Sequence, residues 1–269
     1  MRTITLYRPG KGFPSVSVTG ERCEMMCAHC QGRFLKGMVP AMDPDTLVEL
    51  ALNVHSSGGS GLLISGGCSR QGKVPLGPFL PTIRRIREIT PLLINIHPGL
   101  VSKEEATDIA AASDGISFDL VLDERAIRER MHLDRTPDDY LGSLRFLCQA
   151  APGRVAPHVL LGIGREENET QAVRRACQED ISCLVLLSLI GEKVPDWEGR
   201  LLRAVEIGAH AGRDVLLGCM RPRGRPDLEM SALESGASGI AWPSAETVKR
   251  INEKGWAVAK KGYCCGLHR

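Results

Sequence analysis

The chain has 269 residues, 43% of them hydrophobic and only 4% aromatic, with 34 Lys and Arg against 32 Asp and Glu for a formal charge of +2. So even a balance excludes a broad nucleic-acid-binding field or a basic membrane-surface patch. The length and composition fit one domain, residues 1–269, around a mainly aliphatic core. No run of about 18 apolar residues occurs, and the opening residues carry no apolar signal core, so neither a membrane span nor an export signal is expected. Ten cysteines without such a signal point to a reducing, cytoplasmic setting, where clustered thiols serve metals or catalysis rather than disulfides.

Residues 14–18 alternate with period two and form the first predicted strand. The loop that follows, residues 20–33, carries Cys23, Cys27 and Cys30 in the spacing C-x3-C-x2-C. Three thiolates this close together can hold three irons of a four-iron, four-sulfur cluster; with no fourth cysteine in the loop, one iron stays open to a small molecule. An exposed cluster of that kind is oxygen-sensitive, so an anaerobic setting is expected. The competing reading is a Cys3His zinc site that includes His29. Against it, His29 adjoins Cys30, neighbouring ligands are awkward around one tetrahedral metal, and no second C-x2-C pair exists.

Downstream, apolar runs alternate with amphipathic ones. Asp43 is placed to cap a helix carrying Leu47, Leu50, Ala51 and Val54 on one face. Residues 61–65 are the second strand; a helix with Ile83, Ile86 and Ile89 at helical spacing leads to the third, 92–97. Ser102 and Glu105 make a capping box. Residues 115–121 are the fourth strand, Pro137 opens the next helix, and 155–162 are the fifth strand, with a helix over 169–179. The continuous apolar run 183–189 is the sixth, as a doubly covered parallel strand should be. A helix over 197–211 leads to the seventh strand, 214–219, and a short helix over 228–234 to the eighth, 239–241. Ser244 caps the last helix. Eight β-then-α units predict a single α/β domain, a closed (β/α)8 TIM-type barrel, with a short C-terminal tail, residues 257–269, able to cover the barrel mouth.

In such a barrel the chemistry sits at the carboxyl ends of the strands, and the unusual residues collect there. Gly66, Gly67 and Cys68 follow the second strand and His97 ends the third. Ser117 and Asp119 share a face of the fourth; Gly162 and Gly164 end the fifth; Cys219, Arg221 and Arg223 end the seventh. Cys148, Cys177 and Cys183 read as buried small hydrophobes. Cys68, Cys219 and one of the adjacent pair Cys264 and Cys265 are candidate ligands of a second, auxiliary iron–sulfur cluster; the plain alternative is free thiols.

The C-x3-C-x2-C loop after the first strand, together with this motif order, resembles the radical S-adenosylmethionine superfamily. The resemblance implies that Cys23, Cys27 and Cys30 ligate the cluster and that the open iron binds S-adenosylmethionine. Its reductive cleavage would yield a 5′-deoxyadenosyl radical that takes a hydrogen atom from an unactivated carbon. It also implies cofactor contacts at Gly66 and Gly67, where Cys68 replaces the glutamate of the family's Gly-Gly-Glu motif, at Ser117 and Asp119 near the ribose and the methionine carboxylate, and at Gly162 and Gly164 beside the adenine. His29 takes a variable position near the adenine. An electron donor such as ferredoxin or flavodoxin is the implied partner.

Within the superfamily, Cys68 and Arg221 resemble features of the biotin synthase-like branch, in which an auxiliary cluster serves as sulfur source. The stretches 17–20 and 218–223 and the cysteine-bearing tail look most similar to a subunit of the two-component lipoyl synthases. That subfamily implies sulfur insertion into an octanoyl chain on a lipoyl carrier protein, with a sister radical enzyme as partner. A rearrangement or methylation enzyme without a sacrificial cluster, and a non-enzymatic metal-binding scaffold, are the alternatives.

Overall fold

The computed structural model describes residues 2–268. Its backbone is one parallel sheet of eleven strands, curled into a half-barrel with helices on its outer face. In chain order come β1 (Thr3–Tyr7), β2 (Ser15–Ser17), β3 (Val39–Pro40), α1 (Pro44–Ser56), β4 (Gly61–Ser65), α2 (Leu80–Ile89), β5 (Leu93–Ile96), α3 (Lys103–Ala112) and β6 (Gly115–Asp119). They are followed by α4 (Pro137–Ala150), β7 (Val155–Leu161), α5 (Glu166–Ala176), β8 (Leu184–Ser188), α6 (Trp197–His210), β9 (Val215–Leu217), α7 (Pro226–Glu234), β10 (Gly239–Ala241), α8 (Ala245–Glu253) and β11 (Ala257–Lys261). No helix among the described residues is long and apolar enough to cross a membrane.

All eight predicted strands are present, as β2 and β4 to β10, but they do not close on one another. The sheet order is β11-β1-β10-β9-β8-β7-β6-β5-β4-β2-β3. The neighbour of β10 is β1, with Thr5 opposite Gly239, and β11 pairs on its far side. The predicted first strand, β2, instead lies between β4 and the two-residue β3. The expected closed (β/α)8 circuit is therefore replaced by a ladder with two edges. One edge ends in Lys260 and Lys261, and charged side chains of this kind discourage further strand pairing.

The helix starts are where local chemistry puts them. Asp43 accepts the Thr46 N–H at 2.8 Å, Ser102 and Glu105 form their reciprocal box, and Ser244 accepts from Thr247. Thr136 with Asp139 makes a second box. The helix expected at 169–179 begins three residues earlier, at Glu166; Glu166, Glu167 and Glu169 fill its first turn, where carboxylates favour the helix N-terminus.

The C-terminal segment does not lie over the carboxyl rim. After β11, residues 264–268 enter the lumen and pack against the amino ends of the strands. Leu267 covers Gly115, the first residue of β6, and a Cβ at Gly115 would lie 2.7 Å from Leu267 Cδ2. The Cys183 thiol donates to Cys265 O at 3.8 Å. His268 is held by Tyr7 Oη and by Asp214 Oδ2, the latter at 3.1 Å. Cys265 and Leu267 are buried. These residues form the floor of the half-barrel.

Candidate active site

The cysteine loop leaves the carboxyl end of β2 and is clasped on two sides. On one side is the turn after β4. A Cβ on Gly67 would stand 1.9 Å from Arg22 O and 2.7 Å from Cys23 Cα, so only glycine lets the two backbones meet. The Gly67 N–H donates to Thr19 Oγ1 (2.7 Å) and the Glu24 N–H to Cys68 O (2.9 Å). The Cys23 thiol lies 3.8 Å from that same carbonyl. On the other side is a single π-helical turn, Ala126–Arg130. Arg130 O accepts the Ala28 N–H at 2.7 Å, the Cys27 thiol faces Met131 O at 3.7 Å, and His132 Nδ1 donates to Met25 O at 3.0 Å. Met26 and Gln31 adopt left-handed conformations within the loop. Strain of this kind persists only where the surroundings enforce it.

The ligand atoms of Cys27, His29 and Cys30 all lie within 4.8 Å of one another, the one such group among the described residues. The adjacency of His29 to Cys30 thus does not keep the imidazole away, contrary to the sequence expectation. His29 Nδ1 is buried without a hydrogen-bond partner, and desolvation holds the ring's pKa below its ordinary value. The thiols of Cys27 and Cys30 share a hydrogen bond. It lowers Cys30 to about 6 and, with burial, raises Cys27. Burial, with the Cys23 charge nearby, pushes Cys68 up to about 12. Soft sulfur donors suit an iron–sulfur cluster, and two thiolates with an imidazole also suit zinc. The donor set fits either group.

Beneath the loop, three neighbouring strands turn polar residues into the lumen. Asp119, at the end of β6, lies 3.5 Å from His97 Nε2, just past β5. In register beside it on β7 is His158, whose ring lies 6.1 Å from that of His97 at an interplanar angle of 40°. Desolvation works to raise Asp119, but His97, His158 and His29 outweigh it and hold the carboxyl at about 2. His97 is desolvated too, yet Asp119 raises it. His158 falls to about 4, chiefly by desolvation. The Asp119 side chain is nonetheless 51% exposed, so the lumen around it is open space.

Ser117 shares the face of Asp119, as expected, but is not open to a ligand. It is buried, accepts from Asn95 Nδ2 at 2.9 Å, and lies 2.3 Å from where a Gly266 Cβ would be. Gly162 adopts φ +91°, and its N–H donates to Glu169 Oε1 at 2.7 Å. Gly164 packs on Asp123, which a Cβ there would approach within 2.5 Å. Asp123 accepts from Ala126 N, Arg165 N and Asn168 Nδ2, tying the loop after β6 to the loop after β7.

The remaining candidate cysteines divide. Cys68 faces Cys23 and Cys30. Cys219 is accessible. Cys264 Sγ accepts from Asn95 Nδ2 at 3.3 Å and Gly266 N at 3.4 Å, and Cys265 feels the charges of both Cys264 and Cys219. Arg221 is bound in the wall: it donates to Gly218 O and Ala241 O, each at 2.6 Å, and pairs with buried Glu229 at 2.7 Å.

Sequence reasoning missed His158, Asn95, Asp123 and the clasp at 126–132. A single histidine in the apolar run of β7, and an asparagine in that of β5, were readable signals. The clasp had none, because its contacts with the cysteine loop span about a hundred residues.

No protein-family model matches the chain, and no curated protein matches it in sequence. Among solved structures it is similar to HydG, a maturase of the FeFe hydrogenase, at TM-score 0.67 and 12% identity, over 96% of this chain and 64% of that one. The chain thus spans less than two thirds of HydG. It is similar to methylornithine synthase, PylB, at TM-score 0.64 and 13% identity, over 95% of this chain and 83% of that one. A third is SuiB of Streptococcus suis bound to S-adenosylmethionine, at TM-score 0.54 and 13% identity, over 93% and 50%. At such identities the likeness is one of fold, which the chain shares with these three structures.

Proposed function

We propose that the chain is a radical S-adenosylmethionine enzyme in which Cys23, Cys27 and Cys30 hold a four-iron, four-sulfur cluster. The observation that carries this reading is the loop with Cys23, Cys27 and Cys30, fixed on two sides at the carboxyl rim of a parallel half-barrel with an open polar lumen, where Cys27 and Cys30 already lie together and Cys23 stands outside their group. When bound, the cluster and S-adenosylmethionine supply one-electron cleavage of the sulfonium and removal of a hydrogen atom from a substrate carbon. The chain's residues do the positioning. Gly67 and the 126–132 clasp fix the loop, Asp119 offers an ionised acceptor to the nucleoside, and the floor at residues 264–268 closes the lumen to water from the amino side. Gly66, Gly162 and Gly164 shape the turns that border it. An electron donor such as ferredoxin or flavodoxin completes the reaction.

Anaerobic reconstitution tests this. Iron and sulfide bound to the wild-type chain, and 5′-deoxyadenosine formed from S-adenosylmethionine under strong reductant, are the expected results. Both are lost in the triple variant C23A/C27A/C30A. Stoichiometric zinc without sulfide would leave the scaffold reading in its place.

For the substrate, we propose sulfur insertion, with an octanoyl chain on a lipoyl carrier protein as acceptor and a sister radical subunit as partner. The support is the set of cysteines left over beyond the loop, Cys68, Cys219 and the pair Cys264 and Cys265. Cys68, Cys219 and one of Cys264 and Cys265 are the candidate ligands of the auxiliary cluster. About eight irons per chain fit that reading and about four fit a rearrangement or methylation enzyme.

A further inference from the structure

Cys27, His29 and Cys30 gather more tightly than a four-iron cluster asks. The turn that carries them is closed by the N–H groups of Cys30 and Gln31, which both donate to Cys27 O, at 3.0 and 2.8 Å. A turn closed this way puts residues three apart on one face. Arg130 O, accepting the Ala28 N–H at 2.7 Å, fixes the turn from the clasp. The ligand atoms of the three side chains lie within 4.8 Å of one another. Cys23 is outside that group, and its thiol is turned to Cys68 O, 3.8 Å away.

These spacings separate two kinds of occupant. In a cluster each thiolate takes a different iron, so the sulfurs stand further apart than the ligands of a single ion. Around one tetrahedral ion, bonds of about 2.0–2.3 Å leave the ligand atoms roughly 3.5–3.8 Å apart. The group needs only a small contraction to reach that spacing. His29 adds a second sign. Its Nδ1 is buried with no hydrogen-bond partner; a buried nitrogen left alone is costly, and a cation would satisfy it. Two sulfurs and an imidazole nitrogen select a thiophilic divalent ion over magnesium or calcium, and zinc outranks ferrous iron at such a set.

We propose that, before the cluster is assembled, Cys27, His29 and Cys30 bind one zinc ion, with the fourth position open and Cys23 outside the set. The site goes beyond the proposed function. It shares two thiolates with the cluster, adds an imidazole that is no ligand of the cluster, and must be vacated for the cluster to form.

The test uses the whole chain, cluster-free and reduced, under anaerobic conditions. Cobalt(II) is the spectroscopic probe, and zinc affinity is read by competition with a chromophoric chelator. Wild type should bind one ion, with the visible bands of tetrahedral cobalt and the charge-transfer band of thiolate ligands. Cys23→Ser should match it, whereas Cys27→Ser and Cys30→Ser should lose the tetrahedral spectrum. His29→Phe should bind zinc at least about tenfold more weakly, since even the residues behind metal ligands are worth that much. His29→Cys, which restores a soft donor, should recover the affinity, and this separates a lost ligand from a misfolded loop. Zinc-loaded wild type should take up iron and sulfide more slowly than the metal-free chain. The site is overturned if His29→Phe keeps the wild-type zinc affinity, or if Cys23→Ser loses the ion as Cys27→Ser does. If wild type binds zinc as described yet takes up no iron and sulfide on reconstitution, the proposed function falls and this site stands.

Discussion

Gly67 has no room for a side chain. The clash it would make is with the backbone of Arg22 and Cys23, which cannot swing aside as a flexible side chain can. Gly67→Ala should therefore cost about 1–3 kcal/mol, the usual penalty of overpacking, and should displace Cys23 from its neighbours. The expected outcome is a lower urea midpoint together with iron retention reduced well beyond what the lost stability explains. At this scale the sequence placed Gly66 and Gly67 just after the second strand but not what they meet, since the contact joins two loops more than forty positions apart.

The lumen histidines give a pH signature with a definite sign. His97 titrates above its ordinary 6.5 in the folded state because of Asp119. Its contribution is fully present below 6.5 and is lost as pH rises through the raised value. Asp119, held at about 2 against 3.8, contributes above 3.8 and loses that contribution as pH falls towards 2. The pair is thus most stabilising between about pH 4 and 6.5. His97→Gln should cost more at pH 6 than at pH 9. The difference should be about 1 kcal/mol or less, because Asp119 is half exposed and solvent screens the pair. In an Asp119→Asn background that pH difference should be lost or reversed, because desolvation is left to lower His97, which a double-mutant cycle of urea midpoints would show.

Among the elements, what was legible followed how local the causes are. The caps at Asp43, Ser102 and Ser244 act within four residues, and each helix starts where its cap directs. The strands β1 and β11 went unread for the opposite reason. Thr3–Tyr7 alternates in burial, but only its partners β10 and β11 make it part of the sheet. The half-buried Ala257–Lys261 has little apolar signal of its own. The floor segment is the element with the clearest energetic consequence. Leu267 is 3% exposed and covers the start of β6. Leu267→Ala should cost about 2–5 kcal/mol, the range for a buried leucine. It should also speed thiol labelling of Cys183 and Cys265, whose burial depends on that floor.

At the level of the whole molecule, the eight expected strands and their order were legible because each βα unit repeats one pattern. Closure was not, because it depends on which strand follows β10 in space. The answer is a continuous eleven-strand ladder with no internal break, so the protein should unfold as one unit. Urea curves followed by the fluorescence of Trp197, Trp242 and Trp256 and by far-ultraviolet circular dichroism should coincide. Two separated transitions would mean that β1 and β11 detach before the rest.

The pairing of β1 bears on how the protein is made. A growing chain leaves the ribosome amino end first, and β1 appears before the ten other strands of the sheet. Both of its neighbours, β10 and β11, come from the other end of the sequence. Until β10 has been translated, β1 has neither of its sheet neighbours, while the strand that carries the cysteine loop, at the far end of the sheet, can already pair with β4. Residues 264–268 are made later still, so the nascent lumen is a channel open at both ends. Thiol chemistry or metal loading at Cys23, Cys27 and Cys30 during translation would meet a different chamber from the one the finished chain encloses.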